Sequence, residues 1–345
     1  MKKTFLVLIT LILFLVGCAG GGKDNNNPSG GSANSDGDKP ADKKVAMVLP
    51  EKIGVNPFFQ LMEEGLQKAG QEFNVKVKTI ESADLNAFEQ NMRAAIADKY
   101  DLIITATFQA EDALKKLAAE NPNQAFAVVD TVVDLPNVRS VVFREYESSY
   151  LLGALVGLIT EKNTVGMVAA DDIPMIKKWT VPFEQGLKST NPDAKLLVNY
   201  VGNFNDPARA KELALLQFSQ GADFIVGAAA VGDLGVFEAA KEKGFYTSGQ
   251  DMDHTGKDPE HIIMSQIKGT DTATYETIKD FVSGDFKLGT TVDYGLKENG
   301  VGLPFVTHET KTELSPFIGQ ENIDKVKAIN EEIISGKLKI DNPLN

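Results

Sequence analysis

From Lys44 onward, short uninterrupted apolar runs alternate with segments of helical periodicity, and the pattern occurs twice in series. KVAMVLP (Lys44–Pro50), DLIITAT (Asp101–Thr107) and AFAVVD (Ala125–Asp130) read as buried strands, and NVKVKTIES (Asn74–Ser82) alternates with Val75, Val77 and Thr79 on one face. Helical patterns separate them, over 59–73, 86–98 and 110–120. The rhythm restarts with TVGMVAAD (Thr164–Asp171), KLLVNYVG (Lys195–Gly202), DFIVGAAA (Asp223–Ala230), FYTSGQD (Phe245–Asp251) and IIMSQI (Ile262–Ile267). Helices over 173–189, 207–220 and 233–243 lie between these strands. Continuous apolar strands between helices suit parallel sheets covered on both faces. The expected fold class is therefore α/β, with two Rossmann-like lobes joined by a hinge.

VRSVVFREYESSYLLGALVGLI runs from a strand straight into a helix, as expected where the chain crosses between lobes. The last part holds a helix over 272–283, an irregular run near 294–306 and a helix over 323–335, and it must return to both lobes. The expected division is 44–145 plus 271–296 for the first lobe and 146–270 plus 297–345 for the second.

Composition removes several function classes. The 345 residues include one Cys, which excludes an internal disulfide framework and any Cys-based zinc or iron–sulfur site. With 48 acidic against 35 basic residues the formal charge is −13, and the basic stripes of a nucleic-acid groove are missing. His254, His261 and His308 show no metal-like spacing and are expected at the surface, and no metal or cofactor is expected. There is no P-loop, nucleophile elbow or Cys–His pair, so the chain does not read as an enzyme.

The single cysteine has a specific place. Met1-Lys2-Lys3 precedes an apolar run from Phe5 to Val16, about 12 residues and too short for a spanning helix. A basic start followed by a short apolar core is an export signal. It ends in Leu15-Val16-Gly17-Cys18, which resembles the lipobox of bacterial lipoproteins. The resemblance implies a signal peptide over 1–17, cleavage before Cys18 and a diacylglycerol on its thiol. Residues 18–43, rich in Gly, Asn, Ser and Asp, read as a flexible tether. Loss of Lys2 and Lys3 leaves the exported chain more acidic than the composition states.

Ligands of open parallel sheets bind beyond the carboxyl ends of the strands, and two facing lobes place those ends around one cleft. The segments to inspect are 54–60, 107–108, 171–172, 202–206, 228–232 and 266–268, with Asp130 and Asp251. Asp171-Asp172, before Ile173-Pro174, reads as a helix-capping pair. Trp179, on the helix that follows, is expected to pack near the lobe interface.

Longer phrases lie at several of these positions: VVFREYESSYLLGALVGLITE, VGMVAADDIPMIKKWTVPFEQGLKSTNPDAKLLVNYVGNFND, GADFIVGAAAVGDLGVFEAAKEKG and SGQDMD. Together they resemble the basic-membrane-protein lipoproteins, or purine-nucleoside-receptor family, over roughly Lys44 to Leu303. The resemblance implies a type I periplasmic-binding fold and a substrate-binding lipoprotein of an ABC importer. It also implies a site. Phe59-Gln60 matches the family's stacking Phe-Asn step, Phe204 matches the ring on the other face of the base, and Asp130 matches a reader of the base edge. Asp251 and Lys268 match the ribose-binding pair, with Asp253 an alternative to Asp251 and Phe58 an alternative to Phe59. Asn56 lies at the cleft mouth, and the small Gly227–Ala229 stretch lets the backbone approach a ligand.

The chain departs from the family where Asn56-Pro57-Phe58 replaces Asp-Lys-Ser and Thr105-Ala106-Thr107-Phe108 replaces Gly-x-Gly-Phe. The latter change narrows the pocket or adds hydroxyls. The expected function is capture of a nucleoside, most simply a purine nucleoside, for an ABC permease. The protein is expected to be a monomer held at the outer face of a membrane by its lipid. A simple sugar or signalling ligand for a transporter or sensor is the alternative, and a nucleoside-processing enzyme the more distant one.

Overall fold

The computed structural model describes residues 43–344, so Cys18, the signal peptide and all of the tether but Lys43 lie outside the described residues. The first strands and helices are β1 (Lys44–Leu49), α1 (Pro57–Glu72), β2 (Lys76–Glu81), α2 (Leu85–Ala97), β3 (Leu102–Ala106), α3 (Glu111–Glu120), β4 (Ala125–Val129) and β5 (Val138–Phe143). After α4 (Glu145–Ile159) come β6 (Thr164–Ala169), α5 (Pro174–Thr190), β7 (Lys195–Tyr200), α6 (Pro207–Ser219), β8 (Phe224–Ala228), α7 (Asp233–Lys243), β9 (Tyr246–Asp251) and β10 (Ile262–Lys268). The chain ends with α8 (Thr270–Ser283), β11 (Thr290–Tyr294), β12 (Val301–Gly302) and α9 (Gln320–Ile334).

Two six-stranded sheets result, in the orders β11-β5-β4-β3-β1-β2 and β12-β10-β9-β8-β6-β7. Every pairing is parallel except β10 with β12. Burial on both faces explains the unbroken apolar strands: β3 is wholly buried, and β1 is buried from Val45 to Leu49. The edge strands β2 and β7 are only partly covered and alternate or mix in character. The run near 294–306 is irregular as expected apart from β12, but it is preceded by a strand that was not expected: β11 pairs with β5 from Thr290 to Tyr294. Its polar sequence TTVDY suits an edge position, which hid it from a search for apolar runs.

The chain passes between the sheets three times among the described residues: from β5 into α4, from β10 into α8, and from β11 to β12. Helix starts are set locally. Asn56 caps α1 by accepting from the Phe58 amide at 3.1 Å, with Pro57 as the first helical residue. Asp84 and Asp206 cap α2 and α6 in the same way. The Asp171-Asp172 expectation fails, because the residue capping α5 is Ile173 without a side-chain bond, while Asp171 accepts from the Asp172 amide. Pro174 supplies the helical start there, since its fixed φ and missing donor suit the first turn.

Helices α4 and α5 form a close crossing. A Cβ on Gly153 would stand 2.0 Å from the Phe183 carbonyl oxygen, and one on Gly186 would stand 2.0 Å from that of Tyr150. The two glycines therefore allow the backbones to touch. Gly153→Ala and Gly186→Ala should each lower stability in chemical denaturation by about 2–3 kcal/mol, the cost of forcing a packed contact apart. Gly256→Ala, where a Cβ meets only Thr312 Oγ1 at 3.8 Å, should change it by less than about 0.5 kcal/mol. Equal effects at all three positions would refute this reading of the crossing.

Candidate functional site

The carboxyl ends of both sheets open on one cavity, lined from the first sheet's side by Glu51, Asn56, Phe58, Phe59, Thr107, Phe108, Gln109 and Asp130. From the second come Met175, Ile176, Trp179, Phe204, Asn205, Ala230, Gln250, Asp251 and Lys268. It encloses about 610 Å³ of empty space, part of it open to solvent.

The apolar wall is aromatic. The Phe58 and Phe59 rings meet edge-on at 5.2 Å between centroids, and both are buried at the start of α1. Trp179 on α5, expected only to pack between lobes, also lines the cavity, as does Phe204 in the loop before α6. The cavity thus holds both Phe58 and Phe59.

The polar floor is a buried ionic network. Lys268 Nζ lies 2.6 Å from Asp130 Oδ1 and 2.9 Å from Glu145 Oε1. The other Glu145 oxygen lies 2.5 Å from Lys178 Nζ, which also donates to the Phe143 carbonyl at 3.3 Å. Glu145 is fully buried, and its backbone carbonyl accepts from Gln266 Nε2 at 3.1 Å. Burial opposes the Glu145 charge, yet Lys268 and Lys178 hold its pKa down to about 2. Burial likewise opposes the Lys268 charge, but Asp130, Glu145 and Asp251 outweigh it and raise its pKa. Lys268 also stands 5.2 Å from both the Phe58 and Phe143 ring centroids, so the cation touches the aromatic wall. Removing one partner from such a network costs about 3–5 kcal/mol, because a charge is left buried alone.

Asp130, just after β4, and Asp251, the last residue of β9, have φ of 72° and 70°, a left-handed conformation that Asp tolerates better than most residues. Asn56, Phe59, Asp130, Phe204, Asp251 and Lys268 thus lie around one cavity. Gln60 does not line it, since its amide donates to the Gly54 carbonyl at 2.9 Å. Gly227 and Ala229 are also off the wall. A Cβ on Gly227 would meet the Asp233 carboxyl at 2.7 Å, and the Ala229 amide donates to that carboxyl, so Ala230 is the lining residue. The Asn56 amide is engaged in capping α1 and in a 3.3 Å bond to Glu51. Sequence reasoning missed Glu145 and Lys178, which lie on α4 and α5 rather than at the strand ends it inspected.

His254 is not a surface residue: it is 3% exposed, its Nε2 lies 2.9 Å from the Gln250 carbonyl, and burial together with Lys257 pushes its pKa down to about 4. Its β9–β10 loop is polar in sequence but folds over Phe237.

A deep cleft between two parallel-sheet lobes, crossed three times by the chain, is the architecture of the substrate-binding proteins of ABC transporters. This chain belongs to one family of them: the model described as "Bmp: ABC transporter substrate-binding protein PnrA-like" matches residues 42–342. A "CD4+ T-cell-stimulating antigen" of Listeria innocua is 30% identical over 98% of both chains. An "ABC transporter nucleoside-binding protein BmpA" of Lactococcus lactis is 29% identical over 99% of both. Among solved structures, an ABC transporter solute-binding protein of Aeropyrum pernix superposes with a TM-score of 0.77 at 28% identity, covering 88% of this chain and 94% of that one. The fold is the type I periplasmic-binding fold, and the family is one of transporter binding proteins rather than enzymes.

Burial pushes the Asp251 carboxyl up to about 7; Lys268 opposes the rise, and Asp130 and Glu145 add to it. A carboxyl whose folded pKa exceeds its unfolded value contributes stability below the unfolded pKa and loses it as pH rises through about 7. Asp251→Asn lacks this loss. Its stability advantage over the parent, measured by urea unfolding without ligand, should grow by about 2–3 kcal/mol between pH 5 and pH 8. A pH-independent difference would show that Asp251 is already ionised at pH 5.

Proposed function

We propose that this protein captures a nucleoside, most simply a purine nucleoside, between its lobes and presents it to an ABC permease. One observation carries the reading: the same cavity joins Phe58, Phe59, Trp179 and Phe204 to the Asp130–Lys268–Asp251 group. Flat aromatic faces suit a base, each stack contributing about 1–3 kcal/mol by analogy with measured base stacking. A carboxylate accepts from ribose hydroxyls, and an ammonium donates to the same oxygens. The name of the Lactococcus relative, a nucleoside-binding protein, supports the ligand class. In this reading the segments 44–145 plus 271–296 and 146–270 plus 297–345 close as two lobes, and the protein acts as a monomer. Cys18 carries the lipid that holds the protein outside the membrane. Among the described residues no helix is long and apolar enough to cross one.

The test is a thermal-shift and calorimetric screen of the tag-free 43–345 fragment against nucleosides, free bases and monosaccharides. A purine nucleoside should raise the melting temperature, and Phe204→Ala should weaken its binding at least about ten-fold. Phe126→Leu, deep in β4, should lower stability and leave affinity nearly unchanged. A shift with monosaccharides alone would replace the nucleoside reading.

The anchor is checked separately in cells expressing the full chain. Radiolabelled palmitate should enter the parent protein and not Cys18→Ser; equal labelling of both would remove Cys18 from this role.

A further inference from the structure

Thr107, at the end of β3, has φ 70° and ψ 160°. That region is essentially restricted to glycine, and a β-branched residue there is strained. The surrounding backbone enforces it, since the Thr107 amide donates to the Val129 carbonyl at 2.8 Å and its own carbonyl accepts from Ala110 at 3.2 Å. The Thr107 hydroxyl is buried and has no hydrogen-bond partner among the described residues. Two residues on, Gln109 Oε1 is also buried without one. Both residues line the cavity next to Asp130. Two unpaired buried polar atoms and one strained backbone, all on one wall, are costly features for a chain to keep.

We infer that Thr107 and Gln109 are specificity-determining residues, forming a polar subsite on the first lobe that pairs with a ligand edge bearing N–H or O–H donors. Gln109 Oε1 accepts from such a donor, and the Thr107 hydroxyl accepts from or donates to its neighbour. Asp130 on the adjacent strand is occupied by Lys268, so the ligand edge meets these two neutral groups in addition to an ion pair. The subsite rests on the nucleoside reading and narrows it: a base with ring or exocyclic N–H groups fits, and unsubstituted purine riboside lacks the donors. A pocket built to pair such groups discriminates against analogues without them, because its own polar atoms are then left unpaired.

The experiment measures binding of guanosine, inosine, adenosine and unsubstituted purine riboside to the parent protein, Thr107→Val, Thr107→Gly, Gln109→Leu and Phe204→Ala. Thr107→Val keeps the shape and loses the unpaired hydroxyl, so it should bind the preferred nucleoside about ten-fold more weakly with no loss of melting temperature. Gln109→Leu should also weaken that ligand and narrow its advantage over purine riboside. Thr107→Gly should weaken binding while raising the melting temperature of the unliganded protein by about 2–5 °C, as strain is released. A purely structural threonine would not give lower affinity with higher stability.

Unchanged affinity and an unchanged preference over purine riboside in Thr107→Val and Gln109→Leu, with Phe204→Ala impaired, would overturn the subsite and leave the nucleoside reading standing. Failure of the nucleoside reading is recognised differently, as no binding of any of the four ligands by the parent protein. The melting comparison needs no ligand: a Thr107→Gly protein that melts below the parent overturns the strain on which the inference depends.

Discussion

Glu145 has no exposure to water, yet it holds two lysines, with Lys268 on one carboxylate oxygen and Lys178 on the other. A carboxylate in that position is tolerable only if both partners are held in place, because an unpaired buried charge costs several kcal/mol. The geometry of neighbouring elements follows from this need. Glu145 opens α4, Lys178 sits on α5, and the touching backbones at Gly153 and Gly186 bring the two helices close enough to pair. Ser149 adds a hydroxyl bond to the Trp179 carbonyl at 2.5 Å, tying the same helices one turn from the ion pair. Trp179 reaches the cavity from that fixed helix. The close helix crossing at these two glycines therefore sets both a floor charge and a wall of the site.

Charge balance around the cavity follows from the same network. Lys178 and Lys268 face Glu145, Asp130 and Asp251, and Asp251 sits in surroundings that favour its neutral form up to about pH 7. The network is then close to neutral, with Lys268 committed to two carboxylates, and Glu51 adds a further carboxyl to the lining. Such a floor orients hydroxyl and amide groups through directional bonds and has little surplus positive charge for a phosphate. Five aromatic rings, Phe58, Phe59, Phe108, Trp179 and Phe204, line the same cavity and offer flat apolar faces above this floor.

Much of this was legible in the sequence, for definable reasons. Strands buried on both faces leave uninterrupted apolar runs, and helices between them leave a 3.6-residue period, so the serial α/β plan could be read directly. Rules for parallel sheets then placed Asp130, Asp251 and Lys268 at strand ends, where the structure has them beside the cavity. Tertiary packing was not legible. Lys178 lies on an amphipathic helix among other polar residues, and nothing in its spacing says that it faces a buried carboxylate. β11 is polar because it lies at a sheet edge, so its pairing depends on backbone register. Gln60 and Gly227 lie close in sequence to lining residues but face elsewhere, one toward the Gly54 carbonyl and the other toward Asp233. The conformation of Thr107 depends on its amide bond to Val129 of β4, which no local pattern encodes.

The positions of these groups relative to the chain crossings divide their work. Glu145 follows the first crossing by one residue, and Lys268 precedes the second by one, so their ion pair joins two of the three connections between the sheets. Rotation of one lobe about those connections displaces atoms in proportion to their distance from them, which leaves this pair nearly stationary. Phe58, Phe59 and Thr107 belong to the first lobe, while Trp179 and Phe204 belong to the second and lie on the opposite wall. In the capture proposed above, their separation would vary with the angle between the lobes. In that capture the polar anchor stands at the crossings between the sheets and the aromatic walls come together around the ligand. A ligand that only hydrogen-bonds at the floor gains little from closing the lobes. One with a flat apolar body gains the burial of both faces, and that difference couples the shape of the ligand to the state of the hinge.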